Sequence, residues 1–185
     1  MTPRARNLSI LSLLGALAAF PIAPAARAQR AQDAAQEDAT RALRRAEQLI
    51  QDGKYQSAAA EFERASELQG SACPECLLGV GRAYGGARQL DAGLQVTRMA
   101  LTLFDAPQDQ ARAWDQIGSL LALKGDMNGA REAFGKAVQL DGRMASQVRS
   151  SLAEALLKRA NYAQTEAKTA AASAEPVEVV IPQAP

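Results

Sequence analysis

A stretch of about 34 residues that occurs three times limits this chain more than any other feature. Ala111–Met144 carries it most clearly. Trp114 is followed by Ile117 and Gly118, and Leu121 comes one turn later. Gly125-Asp126 then interrupts the run, and Ala130, Phe134 and Ala137 resume it before Leu140 and Gly142. Helical spacing puts Trp114, Ile117 and Leu121 on one face. Gly118 leaves room for a paired helix to approach. Asp126 is placed to accept from the free amides at the start of a second helix. Gly142 is placed to end that helix in the left-handed conformation.

The unit recurs upstream with departures. In residues 39–72 the turn is Asp52-Gly53-Lys54-Tyr55, followed by Ala58, Phe62, Ala65 and Leu68. Its first helix is weaker, with Ala42, Arg45, Ala46 and Leu49 at the packing positions. In residues 74–107 the matching positions are Leu77, Val80, Gly81 and Tyr84, then Gly93, Ala100 and Leu103. There Arg88 stands at the usual turn glycine, Gly93 at the usual alanine and Thr97 at the usual aromatic. Gly85-Gly86 is expected to loosen the last turn of that copy's first helix. Cys73 separates the first two copies, and Gln108, Asp109 and Gln110 separate the last two. Residues 146–160 read as one more helix, with Val148, Leu152, Ala155 and Leu156 on one side, suited to closing an open array.

These residues resemble the tetratricopeptide-repeat pattern over about residues 39–160. The resemblance implies an all-α superhelix, a solenoid of three helix-turn-helix repeats (39–72, 74–107 and 111–144) plus a C-terminal closing helix (146–160). Composition agrees: hydrophobic residues make up 48% but aromatics only 4%. Small apolar side chains suit closely packed helices better than a sandwich or barrel.

The same composition narrows the function. There is no histidine, which removes the commonest general base and the commonest zinc ligand. Two cysteines cannot supply a four-cysteine metal site. No metal, cofactor or catalytic residue is expected. The formal charge is +1; without Arg4, Arg6 and Arg27 of the first 28 residues it becomes +1 − 3 = −2. A near-neutral domain carries no electrostatic footprint for nucleic acid.

Residues 1–28 read as a signal peptide. Arg4 and Arg6 form a basic start, Leu8–Phe20 is largely apolar, Pro21 and Pro24 break the run, and Ala26-Arg27-Ala28 has the small-x-small cleavage pattern. The apolar run is shorter than the roughly 20 residues of a membrane span. Export to a periplasm, or secretion, follows, with a mature start at Gln29 and no stable span after cleavage. Residues 29–38 then form a short linker or the start of the first helix. Residues 161–185, ending in EPVEVVIPQAP, read as a disordered tail.

The resemblance implies that the first helices line a concave groove for a protein or peptide partner. It places Leu43, Glu47 and Ile50 there from the first copy, and Leu78, Arg82 and Gly85 from the second. Arg112, Asp115, Ser119 and Leu123 come from the third, and Arg149 and Ala153 from the closing helix. Arg82, Arg112 and Arg149 are expected either to grip a carboxylate or backbone carbonyls of the partner, or to be ordinary solvated arginines.

Cys73-Pro74-Glu75-Cys76 opens the second copy. Pro74 suits a first helical position, and a thiol there feels the positive end of the helix dipole. Structural disulfide, free thiols and thiol-disulfide exchange remain open readings, the first favoured by an oxidising compartment. The functional expectation is an adaptor or scaffold. A thiol-exchange factor and a self-associating envelope component are the alternatives.

Overall fold

The structure is a computed structural model in which residues 22–70 and 73–173 are described. They form α1 (Ile22–Gln51), α2 (Tyr55–Leu68), α3 (Pro74–Gly86), α4 (Leu90–Leu103), α5 (Pro107–Lys124) and α6 (Met127–Leu140). A short 3-10 turn at Gly142–Met144 leads into α7 (Ala145–Ser173). Successive helices pair as hairpins α1–α2, α3–α4 and α5–α6, each packed on the next, and α7 lies mainly on α5. The result is an all-α solenoid of three helical hairpins with a closing helix, and the described residues contain no strand.

All three hairpins turn the same way. The N–H of Lys54 donates to the Leu49 carbonyl at 2.8 Å, that of Gln89 to Tyr84 at 2.9 Å, and that of Asp126 to Leu121 at 2.9 Å. This bond from one residue past the left-handed position satisfies a carbonyl that the helix end would leave free. The left-handed residue is Gly53 (φ 73°), Arg88 (φ 63°) or Gly125 (φ 96°). Only Arg88 carries a side chain there, at a cost of about 1–2 kcal/mol. Its guanidinium lies 4.5 Å from the Tyr162 ring centroid and pairs with Glu166, both on α7. The sequence anomaly at the middle turn is therefore an anchor for the distal part of α7.

Small residues set the helix spacing. Phe134 of α6 lies over Gly118 of α5, where a Cβ would fall 2.7 Å from the ring. Phe62 of α2 likewise covers Gly79 of α3, across the junction of two hairpins. Thr97 holds the place in the second hairpin that Phe62 and Phe134 hold in the others. It is fully buried. The volume it lacks is supplied by the next hairpin, where Gln116 stands in the place of Gly79. Gln116 Nε2 donates to Thr97 Oγ1 at 3.0 Å and to the Leu78 carbonyl at 2.9 Å, while Thr97 Oγ1 donates to the Gly93 carbonyl at 2.8 Å. An aromatic facing glycine is thus exchanged for threonine facing glutamine, with the buried polar atoms paired.

Several boundaries differ from the sequence reading. Residues 29–38, read as a short linker or the start of the first helix, lie within α1, and the difference is that this helix is continuous from Ile22. Gln108, Asp109 and Gln110 are not a spacer but the first turn of α5, started by Pro107. α6 ends without a left-handed glycine: Asp141 is extended and accepts from the Arg143 N–H, so Gly142 opens the 3-10 turn instead. Asp126 does cap α6, accepting from the Gly129 N–H at 2.9 Å. Gly85-Gly86 remains helical, giving room to Leu120 and Tyr55 respectively. α7 continues past residue 160 to Ser173, so the first part of the expected tail is helical. The signal-peptide reading of residues 1–21 and the tail from residue 174 lie outside the described residues.

Thr97→Phe alone, or Gln116→Gly alone, should destabilise the fold by about 1–3 kcal/mol through overpacking or a void. The double variant rebuilds the Phe-on-Gly pair and should recover at least about 1 kcal/mol of the summed loss, read from denaturant melts as a double-mutant cycle. Strict additivity would show that the two positions do not compensate. Arg88→Gly relieves the left-handed strain while releasing α7. Its global stability should stay within about 1 kcal/mol of the parent, but amide exchange in residues 160–173 should accelerate.

Candidate functional site

The inner faces of the first helices form the wall of a concave groove enclosing about 870 Å³. α1 supplies Leu43, Glu47 and Ile50, and α2 adds Tyr55 and Phe62 at the edge. From α3 come Glu75, Leu78, Gly79, Arg82, Gly85 and Gly86. α5 contributes Arg112, Asp115, Gln116, Ser119, Leu120 and Leu123. Met144 and the α7 residues Gln147, Ser151, Glu154, Ala155 and Lys158 close the far side. The groove is mixed in character. Of the residues singled out in the sequence, Leu43, Glu47, Leu78, Arg82, Arg112, Asp115 and Ser119 meet here. Arg149 and Ala153 do not line it; both are exposed elsewhere on α7. Helical phase explains this: α7 turns Gln147, Ser151, Ala155 and Lys158 inward, and residues two positions away point elsewhere.

The groove cations are already paired within the chain. Arg82 pairs with Glu47 across the first two hairpins, and its guanidinium lies 5.7 Å from the Phe62 ring centroid. Arg112 pairs with Asp109 at 2.9 Å and Lys158 with Glu154 at 2.6 Å. These pairs are exposed, and each contributes at most about 1 kcal/mol. Arg82 and Arg112 thus line the groove as exposed, internally paired side chains, and Arg149 lies outside it.

Asp115 differs from the other groove charges. Its Oδ2 accepts from the Ser151 hydroxyl at 2.9 Å, which ties α5 to α7. Its Oδ1 is buried and accepts no hydrogen bond among the described residues. Burial raises the Asp115 carboxyl above the ordinary aspartate range, and the Ser151 hydrogen bond only partly opposes the shift. The repeat resemblance implied a groove position for Asp115 but gave no sign of its isolation, because Ser151 comes from a helix far along the chain.

Cys73 and Cys76 form a disulfide. Both are buried against Ala42 and Ala65, and the Cys76 N–H donates to Cys73 Sγ at 3.1 Å at the start of α3. The bridge thus closes the first turn of α3 and packs against α1 and α2. No group of three or more metal-ligating side chains occurs among the described residues. No described helix is long and apolar enough to cross a membrane. A second hollow, of about 560 Å³, lies along α4 beside Arg98 and the half-exposed Met99. Compared with models of known protein families the chain matches none, and no curated protein matches it.

The raised Asp115 value has a defined sign. The folded state holds this proton more tightly than the unfolded chain, so stability falls as pH rises from the ordinary value of about 3.9 through the raised one. Asp115→Asn removes that penalty and keeps an acceptor for Ser151. The variant should melt above the parent at neutral pH, and the difference should close below about pH 4. A variant that melts lower at neutral pH would show that the carboxylate is paired after all.

Proposed function

We propose that this chain is an exported adaptor of the tetratricopeptide-repeat type, which binds a partner protein or peptide in its concave groove and performs no catalysis. The groove is the observation that carries the reading: all three hairpins and α7 contribute to one continuous concavity of about 870 Å³. Its mixture of apolar, polar and paired charged groups suits a polypeptide segment better than a compact polyanion. Three hairpins turning identically support the repeat assignment. The basic, apolar and small-x-small succession in residues 1–28 supports export. Burial of both cysteines weighs against the thiol-exchange reading, since exchange needs an attacking thiolate to reach a sulfur.

Self-association is the second reading, supported by the exposed Met99, Leu103 and Leu157, which lie away from the groove. Site-specific photo-crosslinking separates the two. A benzophenone side chain at Ser119 or Glu47 should capture a different polypeptide, and one at Met99 should not. Adducts from Met99 to a second copy of the chain, with none from the groove positions, would reverse the order of the two readings.

A further inference from the structure

Two groove charges have no counter-charge among the described residues, the exposed Glu75 at the start of α3 and the half-buried Asp115, and only Asp115 is withdrawn from water. Arg112, one turn earlier on α5, turns to Asp109 instead. Arg82 and Lys158 are engaged by Glu47 and Glu154. A half-buried carboxylate with one oxygen tied to Ser151 and the other accepting nothing leaves strong acceptor capacity unused. We propose that the groove receives a basic residue of its peptide partner, a lysine or arginine, whose N–H groups pair with Asp115. This rests on the reading of the groove as the partner site.

The chemistry of the surroundings selects this ligand. A partner carboxylate at this point would face a carboxylate. A neutral amide would supply a donor but leave the charge unbalanced. An ammonium or guanidinium supplies both donor and charge. Leu43 and Leu123, both partly exposed, line the same groove and offer apolar surface to the aliphatic stem of such a side chain. Asp115 lines the groove, and a turn about its terminal torsion on binding would present an oxygen to the incoming cation. The raised carboxyl value agrees with a site that lacks its cation, and an incoming cation would lower it.

A random linear peptide library displayed on phage provides the test. It is selected on the protein, and the selected peptides are measured against three groove variants. Asp115→Asn removes the charge and keeps the shape. Ser119→Lys places an ammonium four residues after Asp115, in the favourable order on one helix face, and occupies the carboxylate from within. Leu43→Glu with Leu123→Glu spoils the groove generally. Both single variants should melt no lower than the parent, so loss of binding is not loss of fold. Selected peptides should share a lysine or arginine and bind Asp115→Asn and Ser119→Lys about ten- to a hundredfold more weakly. Replacing that basic residue by norleucine should weaken binding to the parent and leave binding to Asp115→Asn unchanged. Peptides lost on the Leu43→Glu/Leu123→Glu variant but indifferent to Asp115→Asn would overturn the cation assignment and leave the groove reading standing. Peptides indifferent to every groove variant would overturn both.

Discussion

Close approach of helix backbones is the constraint on which the rest of this structure depends. It is set wherever a large side chain lies on a residue with little or no side chain: Phe134 on Gly118, Phe62 on Gly79, Tyr55 on Gly86. The alanine-rich core follows from it, because Ala46, Ala58, Ala83, Ala113, Ala133 and Ala137 sit where bulk would push helices apart. With few aromatics available, three of them are placed at these crossings, and alanines fill much of the remaining surface at low side-chain entropy cost. The same small residues lie on the concave side: Gly79, Gly85 and Gly86 of α3 are covered by Phe62, Leu120 and Tyr55, and all six line the groove.

The middle hairpin shows that this constraint is on the sum of volumes and not on residue type. Phe with Gly at one junction becomes Thr with Gln at the next, and the polar atoms so introduced satisfy one another and the Leu78 carbonyl. Volume-conserving exchanges of this kind are the ones cores tolerate. Arg88 follows a related logic at the turn. A strained left-handed arginine is retained where its neighbours use glycine, and its side chain reaches Tyr162 and Glu166 of α7. The two departures of the second repeat therefore tie it to later parts of the chain, Thr97 to α5 and Arg88 to α7.

Much of this was legible in the sequence, and the failures have physical causes. Hairpin positions followed from residues whose roles are local: Gly53 and Gly125 at left-handed turns, Asp126 as a cap, Pro74 at a helix start. Ten of the twelve groove residues that the repeat resemblance implied line the concavity. Arg149 was misplaced because α7 lies outside the repeat, where phase has to be read from packing on α5. Helix ends beyond the repeat were also missed. α7 runs to Ser173, and part of what holds its distal turns is Arg88, a residue 78 positions away from Glu166 along the chain. Gln116 and Ser151 were missed as functional neighbours for the same reason, since each acts on a side chain from another hairpin or helix.

The internal pairing of the groove cations changes where specificity resides. In sequence the recurring arginines stand either as a grip on a carboxylate or backbone carbonyls or as ordinary solvated side chains. In the fold, Arg82 and Arg112 already have carboxylates. Those pairs are exposed, so breaking one to accept a ligand carboxylate exchanges one weak interaction for another. Asp115 stands in the opposite situation. Its desolvation is already present in the unliganded fold, and no counter-charge offsets it. A ligand cation would meet a partner that gives up little water on binding, which makes the contact worth more than a rim pair. On the proposed peptide-groove reading, discrimination between ligands is therefore strongest where the free protein is least satisfied, and a single half-buried acid would outweigh the more numerous exposed bases around it.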